Sequence, residues 1–403
     1  MGPGLAFDPS RYFIFCANVL GSPYGSSSPV SKHPDRSSRW GPEFPATTVR
    51  DDVRLQKLIL DQLGVKSVAA VIGGSMGGMA VLEWPLCTPP GFVRNIIPIA
   101  TSARHSAWGI SWGEAQRQSI YSDPKYNDGY YAQDDPPLTG LAAARMAALL
   151  TYRTRDSFQS RFGRNEHAEQ NDAWTMPRTP AERALAAHNN GLRRAAGSDR
   201  PASPALATTS DIDATLLFPA SKQPLIFSAQ SYLRYQGNKF VSRFDANCYI
   251  SITRKMDMHD LSRGDERPPW PKVLGLLPKK TFVVAISSDG LFTTSEMQEL
   301  VNLVPEASLL IIESPEGTSF LATLRAPADT FEGWPGHDGF LIEFAQINTV
   351  LLRHLQDQLP EIYQGRPLLD LHADATNAHD FSIKKTSLFG EAESEEIADI
   401  TSW

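Results

Sequence analysis

The sequence predicts an α/β protein with a mostly parallel sheet, and three observations support that reading. Five short apolar, β-branched runs each end at small or turn-forming residues: Tyr12 to Val19, Val68 to Ile72, Asn95 to Ala100, Thr281 to Ile286 and Ser308 to Ile312. Continuous apolar runs of this length, separated by helical stretches, read as strands buried on both faces. The first two runs enclose an amphipathic stretch, so strand, helix and strand form a βαβ unit. The middle, from about Ala103 to Arg263, shows helical patterns and no convincing strand, as a helical cap inserted into a sheet would.

Taken in order, the first helix spans Thr47 to Leu63. Thr48 caps it, Val53, Leu55, Leu58, Ile59 and Leu63 supply the expected buried stripe, and Gly64 stops it. A second helix follows the second run over Met79 to Trp84. In the cap, Thr139 to Arg153 and Ser231 to Lys255 read as helices, and Trp108, Trp112 and Tyr121 as packing residues of a helix leading into it. Gly163 to Lys222 is rich in Ala, Pro, Asn, Asp and Ser and is expected to be a mobile excursion. The expected organisation is therefore a core first part at 1–102, a cap at 103–270, a core second part at 271–358 and an arm or tail at 359–403. There is no internal repeat.

Composition excludes several classes. The 403 residues are 41% apolar, and 38 Lys+Arg against 45 Asp+Glu leave a net charge of −7, which offers no footprint for nucleic acid or an anionic membrane. No run approaches the roughly 18 apolar residues of a membrane span. Met1-Gly2-Pro3-Gly4 lacks the basic and apolar regions of a secretory signal and the amphipathic start of a transit peptide. Cys16, Cys87 and Cys248 are far apart and outside any CxxC, so they read as reduced, inert thiols in a cytoplasmic or organelle-lumen protein. No His/Cys/Asp spacing suggests a metal site.

The chemistry is announced by Gly73-Gly74-Ser75-Met76-Gly77, directly after the apolar run VAAVI and before a helix. This is G-x-S-x-G in strand–turn–helix context, a nucleophile elbow. The turn lifts the Ser75 hydroxyl above the sheet edge and points the Met76 N–H into an oxyanion hole. GxGxxG fails in every register and no Lys follows to make a phosphate loop, so a nucleotide fingerprint is excluded. A serine hydroxyl needs a base, and the base a partner that holds its tautomer. In an α/β-hydrolase-like fold these follow in the order acid, then histidine, each after a strand. Asp289 lies beyond TFVVAI and His337 follows LLII, whereas Glu313 and Asp338 are competing acids and His259 and His105 competing bases.

Collinear segments then extend the match: GPGLAFDPSRYFIFCANVLGSPYGSSSP, FPATTVRDDVRLQKLILDQLG, GGSMGGMAVLEWPL, IPIATSARHSAWGISWGEAQRQSIYSDP, SYLRYQGNKFVSRFDANCYISITRKMDMHD, SDGLFTTSEMQELV and GHDGFLIEF. Through these the chain resembles homoserine O-acetyltransferase in its fungal form, whose relatives include serine O-acyltransferases and the acetyltransferase acting on deacetylcephalosporin C. The resemblance implies acetyl transfer from acetyl-CoA, a co-substrate with no permanently bound cofactor, to L-homoserine in methionine biosynthesis. Ser75, His337 and Asp289 would form the triad, and water would be kept out by the cap. It further implies that Asp338 receives the substrate ammonium and Arg243 the carboxylate. Dimers occur in the family, so a homodimer is expected. A hydrolase, or a catalytically silent binding protein of the same fold, is the competing reading.

Two departures from the family stand out. Its GPG-AFD segment is preceded by strands and by a His-x-Leu-Thr type loop supplying a second oxyanion donor. Here Met1 stands at that point, so missing sheet-edge strands and an incomplete oxyanion hole are expected, through a truncated gene model or real damage. Losing one such donor costs about 100- to 1000-fold in rate. The family also reads SP-x-G followed at once by HD-x-F, whereas Gly317 and His337 are separated by Thr318 to Gly336, 19 residues or 57 nucleotides. Gly-Thr-Ser can be encoded with an internal GTACGT and Pro-Gly with an internal CAG, so a retained short intron is the expectation. A genuine loop insertion is the alternative, because lengthening a surface loop costs little. Sequencing cDNA across this junction should show a major transcript lacking the 57 nucleotides; a major species containing all of them overturns the intron reading.

Overall fold

The computed structural model describes residues 1–167, 184–185, 188–192, 226–313, 336–365 and 367. The expected excursion at 163–222, the insert at 318–336 and the tail from Gln364 fall wholly or largely outside these residues. The segment Tyr12 to Val19 is not a strand. It makes no ladder among the described residues, and Phe13 is 73% exposed. Apolar β-branched composition yields a strand only where a neighbouring backbone offers paired N–H and C=O groups. Here Tyr12 and Phe15 instead pack individually against two different core clusters.

Helix α1 (Val49–Gln62) begins at a capping box, in which Thr48 accepts from the Asp51 N–H and Asp51 accepts from the Thr48 N–H. Its buried face is Val49, Val53 and Leu60, while Leu55, Leu58, Ile59 and Leu63 of the expected stripe are exposed. The helix is apolar on more than one side, and the face that meets α2 decides which residues are covered. Strand β1 (Val71–Gly74) leads into α2 (Met76–Glu83), and β2 (Ile96–Ile99) follows.

Between β2 and the next sheet strand come α3 (Ala107–Tyr121), α4 (Leu138–Tyr152), α5 (Arg155–Phe162), a two-residue ladder of β3 (Glu166–His167) with β4 (Ile226–Phe227), α6 (Ser228–Val241) and α7 (Ala246–Asp257). The short ladder is absent from the sequence reading. The expected helix Ser231 to Lys255 is two helices, because Asp245 turns its side chain to accept from the Cys248 N–H and starts α7 anew. These helices share a cluster built on Ile120, Leu141, Phe240 and Tyr249. Trp108 is 58% exposed, touching Trp112 edge-on, so it is not a core residue, and Cys16 is likewise exposed.

The chain returns through β5 (Phe282–Ile286), α8 (Thr294–Leu303) and β6 (Ser308–Ile312), then α9 (Gly339–Ile342), α10 (Phe344–Gln358) and α11 (Pro360–Tyr363). The sheet order is β1-β2-β5-β6, parallel throughout. Alternation along β5 divides the core: Val283 and Ala285 join α1, α2 and α8 on one face, and Phe282, Val284 and Ile286 join Ile347, Leu351 and Leu355 of α10 on the other. All five β5 residues are buried, as a parallel strand between helical layers requires. No helix among the described residues is long and apolar enough to cross a membrane.

Core and cap are tied by a buried ion pair. Lys255 Nζ on α7 lies 2.6 Å from Asp52 Oδ2 on α1, with side chains 0% and 2% exposed, and also donates to the Leu20 carbonyl at 2.7 Å. Loss of water pushes the Asp52 carboxyl up and the Lys255 ammonium down, against their mutual attraction. Removing one partner strands the other. Lys255→Met or Asp52→Asn should therefore lower the unfolding free energy in urea by about 3–5 kcal/mol, and the double change Asp52→Leu with Lys255→Met should recover most of it.

Candidate active site

The strands end at one edge of the sheet, and the chemistry stands there, as it does in open parallel sheets generally. Ser75 follows β1 and holds φ 56, ψ −125, a left-handed backbone that costs a non-glycine residue about 1–3 kcal/mol. Its neighbours hold it. The Ser75 N–H donates to Ile99 O at 3.0 Å, and its carbonyl accepts from Met79 N at 3.1 Å and from the Thr101 hydroxyl at 2.8 Å. Gly73 explains the motif's first glycine: a Cβ there would sit 2.6 Å from the Gly77 carbonyl oxygen. The Met76 N–H opens α2, where the first-turn amides have no partner within the helix and the helix dipole favours negative charge.

The structure brings Ser75, His337 and Asp289 together. Ser75 Oγ is 2.9 Å from His337 Nε2, and His337 Nδ1 is 2.7 Å from Asp289 Oδ2. Asp289 sits in the turn after β5 with its side chain fully buried. Its other oxygen accepts from the Leu291 and Phe292 N–H groups at 2.8 and 2.9 Å. A carboxylate held this way places the imidazole proton on Nδ1 and leaves the Nε2 lone pair for the serine proton. Of the competing acids, Glu313 is exposed at the end of β6, and Asp338 is buried beside His337. Neither replaces Asp289 in the bond to Nδ1.

Arg243 stands at the corner between α6 and α7, its guanidinium 5.9 Å from the Phe240 ring and its carbonyl accepting from the Tyr24 hydroxyl. Arg145, which the sequence reading passed over, is linked to the histidine through Tyr152. Its guanidinium lies 5.0 Å from the same Phe240 ring and 5.2 Å from the Tyr152 ring, and Tyr152 is 6.4 Å from His337. The signal was present: one charged residue inside TGLAAARMAALL is either buried with a partner or poised for one. Phe292 and Phe340 also flank His337, at 5.1 and 5.3 Å. A separate cavity of about 200 Å³, lined by Arg39, Tyr131, Pro137, Leu141 and Phe244, lies at the opposite end of α4 from Tyr152. Among the described residues no group of three or more His, Cys, Asp or Glu could hold a metal ion.

Comparison with known proteins agrees with this architecture. Residues 1–320 match the alpha/beta hydrolase fold family. A homoserine O-acetyltransferase of Cryptococcus neoformans var. grubii is 46% identical over an alignment covering all of this chain and 85% of the relative. Among solved structures, homoserine O-acetyltransferase from Bacillus anthracis superposes with a TM-score of 0.61 at 17% identity, covering 88% of this chain and 79% of that one. Esterase E22 gives 0.58 at 21% identity, covering 88% and 80%. At such identities the superpositions speak for the fold.

Two further histidines lie beneath the site. His259 Nε2 is 3.0 Å from the Ser102 carbonyl, and His105 packs 5.8 Å from Phe292, its Nδ1 without a hydrogen-bond partner among the described residues. Burial lowers both from 6.5 to about 4. Folded, they stay neutral where the unfolded chain takes up protons. Their contribution is thus fully present above about pH 6.5 and is lost as pH falls toward 4, on the order of 3 kcal/mol each. Urea midpoints measured from pH 7 to 4.5 should fall, and His259→Gln should reduce that slope; an unchanged slope contradicts the assignment.

Proposed function

This chain belongs to the homoserine O-acetyltransferase family within the alpha/beta hydrolase fold, and from that premise we propose that it moves an acetyl group from acetyl-CoA to the L-homoserine hydroxyl through an acetyl-serine on Ser75. As an acyltransferase of this kind it would serve methionine biosynthesis. The observation that supports the mechanism most is the continuous relay from Ser75 Oγ through His337 to Asp289, at 2.9 and 2.7 Å.

In the first half-reaction His337 Nε2 takes the Ser75 proton as Oγ attacks the thioester carbonyl. The Met76 N–H faces the developing oxyanion, an interaction worth about 3–4 kcal/mol in acyl transfer. The imidazolium returns its proton to the departing thiolate, leaving acetyl-Ser75. In the second half-reaction the same nitrogen takes the proton of the homoserine hydroxyl, which attacks the ester. Serine is then released with the proton from His337. Asp289 keeps the imidazole in one tautomer throughout and faces the positive charge formed in each half.

A zwitterionic acceptor needs an anion for its ammonium and a cation for its carboxylate. Buried Asp338, next to His337, suits the first. For the second, Arg145 is our preferred candidate over Arg243, because it is buried and packs on the Tyr152 ring, which in turn lies 6.4 Å from His337. A guanidinium can take a carboxylate with two parallel bonds.

Incubation with acetyl-CoA should release free thiol in a manner dependent on added homoserine. Homoserine-independent release supports hydrolysis, and a panel with serine and deacetylcephalosporin C reads the acceptor. Ser75→Ala should reduce release by about 10⁴- to 10⁶-fold. Arg145→Met should raise the KM for homoserine by about 30- to 150-fold with less effect on the first half-reaction, as loss of charge-assisted bonds predicts. The same shift from Arg243→Met instead returns the carboxylate to that residue.

A further inference from the structure

General-base chemistry at His337 does not by itself distinguish a substrate hydroxyl from water. Either can give its proton to Nε2 and attack acetyl-Ser75; with water the products are acetate and free Ser75. Transfer therefore requires that water be denied a productive position.

The imidazole side chain is only 5% exposed. Among the described residues, three elements place aromatic rings against it: Phe292 in the acid turn at 5.1 Å, Phe340 in α9 at 5.3 Å, and Tyr152 at the end of α4 at 6.4 Å. Asp289 occupies Nδ1, so the open direction is that of Nε2 toward Ser75. Phe340 is placed by the residue before the nucleophile. A Cβ on Gly74 would fall 2.5 Å from Phe340 Cδ2 and Cε2, so the ring rests directly on the backbone at the end of β1. Phe340 follows His337 by three residues along the same helical turns, so this seat fixes imidazole and nucleophile against one another. Phe292, 1% exposed and part of the main core, has an additional structural role. Phe340 is partly buried and is the separable member.

Resting on the acetyl-Ser75 reading above, we propose that Phe340, seated on Gly74, is a positioning residue that sets how acetyl-Ser75 divides between the amino-acid hydroxyl and water. The ring keeps Nε2 aligned for an acceptor already held by its charges and fills the volume from which a water would approach. Gly74 acts through it.

The test measures two rates on the full chain with acetyl-CoA: thiol release and formation of the acetylated acceptor. In the parent protein the two should match and thiol release should need acceptor. Phe340→Ala should raise the ratio of thiol released to product formed by about tenfold, within the roughly 100-fold that a displacement of about 1 Å can cost. Phe340→Leu, which keeps most of the volume, should lie between, and Gly74→Ala should move the ratio the same way by displacing the ring. Equal loss in both rates with an unchanged ratio assigns Phe340 a purely structural role and overturns the proposal, as does an unchanged ratio with full activity. If the parent chain forms no acetyl-enzyme, trapped by acid quench and mass spectrometry, the underlying acetyl-serine reading fails instead.

Discussion

The bond from the Ser75 N–H to the Ile99 carbonyl continues the β1–β2 ladder one residue beyond the last strand position. At that residue the backbone turns to positive φ and α2 begins. Both the sheet and the helix therefore constrain the same strained residue, and neither could relax it without breaking its own hydrogen bonds. The Thr101 hydroxyl adds a third constraint on the Ser75 carbonyl from the segment after β2. A local cost of about 1–3 kcal/mol is offset by contacts distributed over three elements. The direction of the Ser75 hydroxyl, and of the Met76 N–H beside it, follows from that turn.

What stands over the elbow depends on how the helices between β2 and β5 are anchored. The Asp52–Lys255 pair joins α1 to α7, and a second cluster holds the segment after α7: Glu83 on α2 receives Arg50 at 3.2 Å and Arg267 at 2.9 Å, with Glu83 almost wholly buried. Arg50 also donates to the Arg263 carbonyl. Buried ion pairs contribute little net stability compared with apolar replacements, because desolvation consumes most of the Coulombic gain. They do penalise misplacement strongly, since a displaced partner leaves an unpaired charge. An anchoring scheme of this kind suits helices that set Tyr152 at a defined distance from His337.

Much of this was legible in the sequence because it rests on local rules. G-x-S-x-G after an apolar run, the Thr48 cap and the continuous apolar pattern of β5 each encode their geometry within a few residues. Tyr12 to Val19 could not be read so, since a strand is defined by a partner that composition does not specify. The burial phase of α1 was hidden for a related reason: Leu55, Leu58 and Ile59 are as apolar as Val49, Val53 and Leu60, and only tertiary packing selects among them. Among candidate site residues, those following strand ends were visible through chain order. Arg145 was marked only by its lone charge inside an apolar helix, and Phe292 and Phe340 were not marked at all, because their proximity to His337 arises from how the acid turn packs and from a ring resting on a glycine backbone.

The same fold supports esterases and acyltransferases, and the reacting groups needed for both are identical: a serine, a base, an acid and an oxyanion donor. Any difference in outcome must lie in the free energy of positioning the second nucleophile relative to water. A charged acceptor brings its own binding energy, which complementary charges in the site can convert into orientation; water brings none. That advantage holds only while the space beside Nε2 is shaped by side chains and not by solvent. Aromatic rings are suited to this task because they are rigid, have few rotamers and offer no hydrogen-bonding group inside the ring face that would order a water molecule. Seating one of them on a glycine that adjoins the nucleophile makes the cover move with the chemistry it protects, so the site's selectivity and its catalytic alignment share one mechanical support.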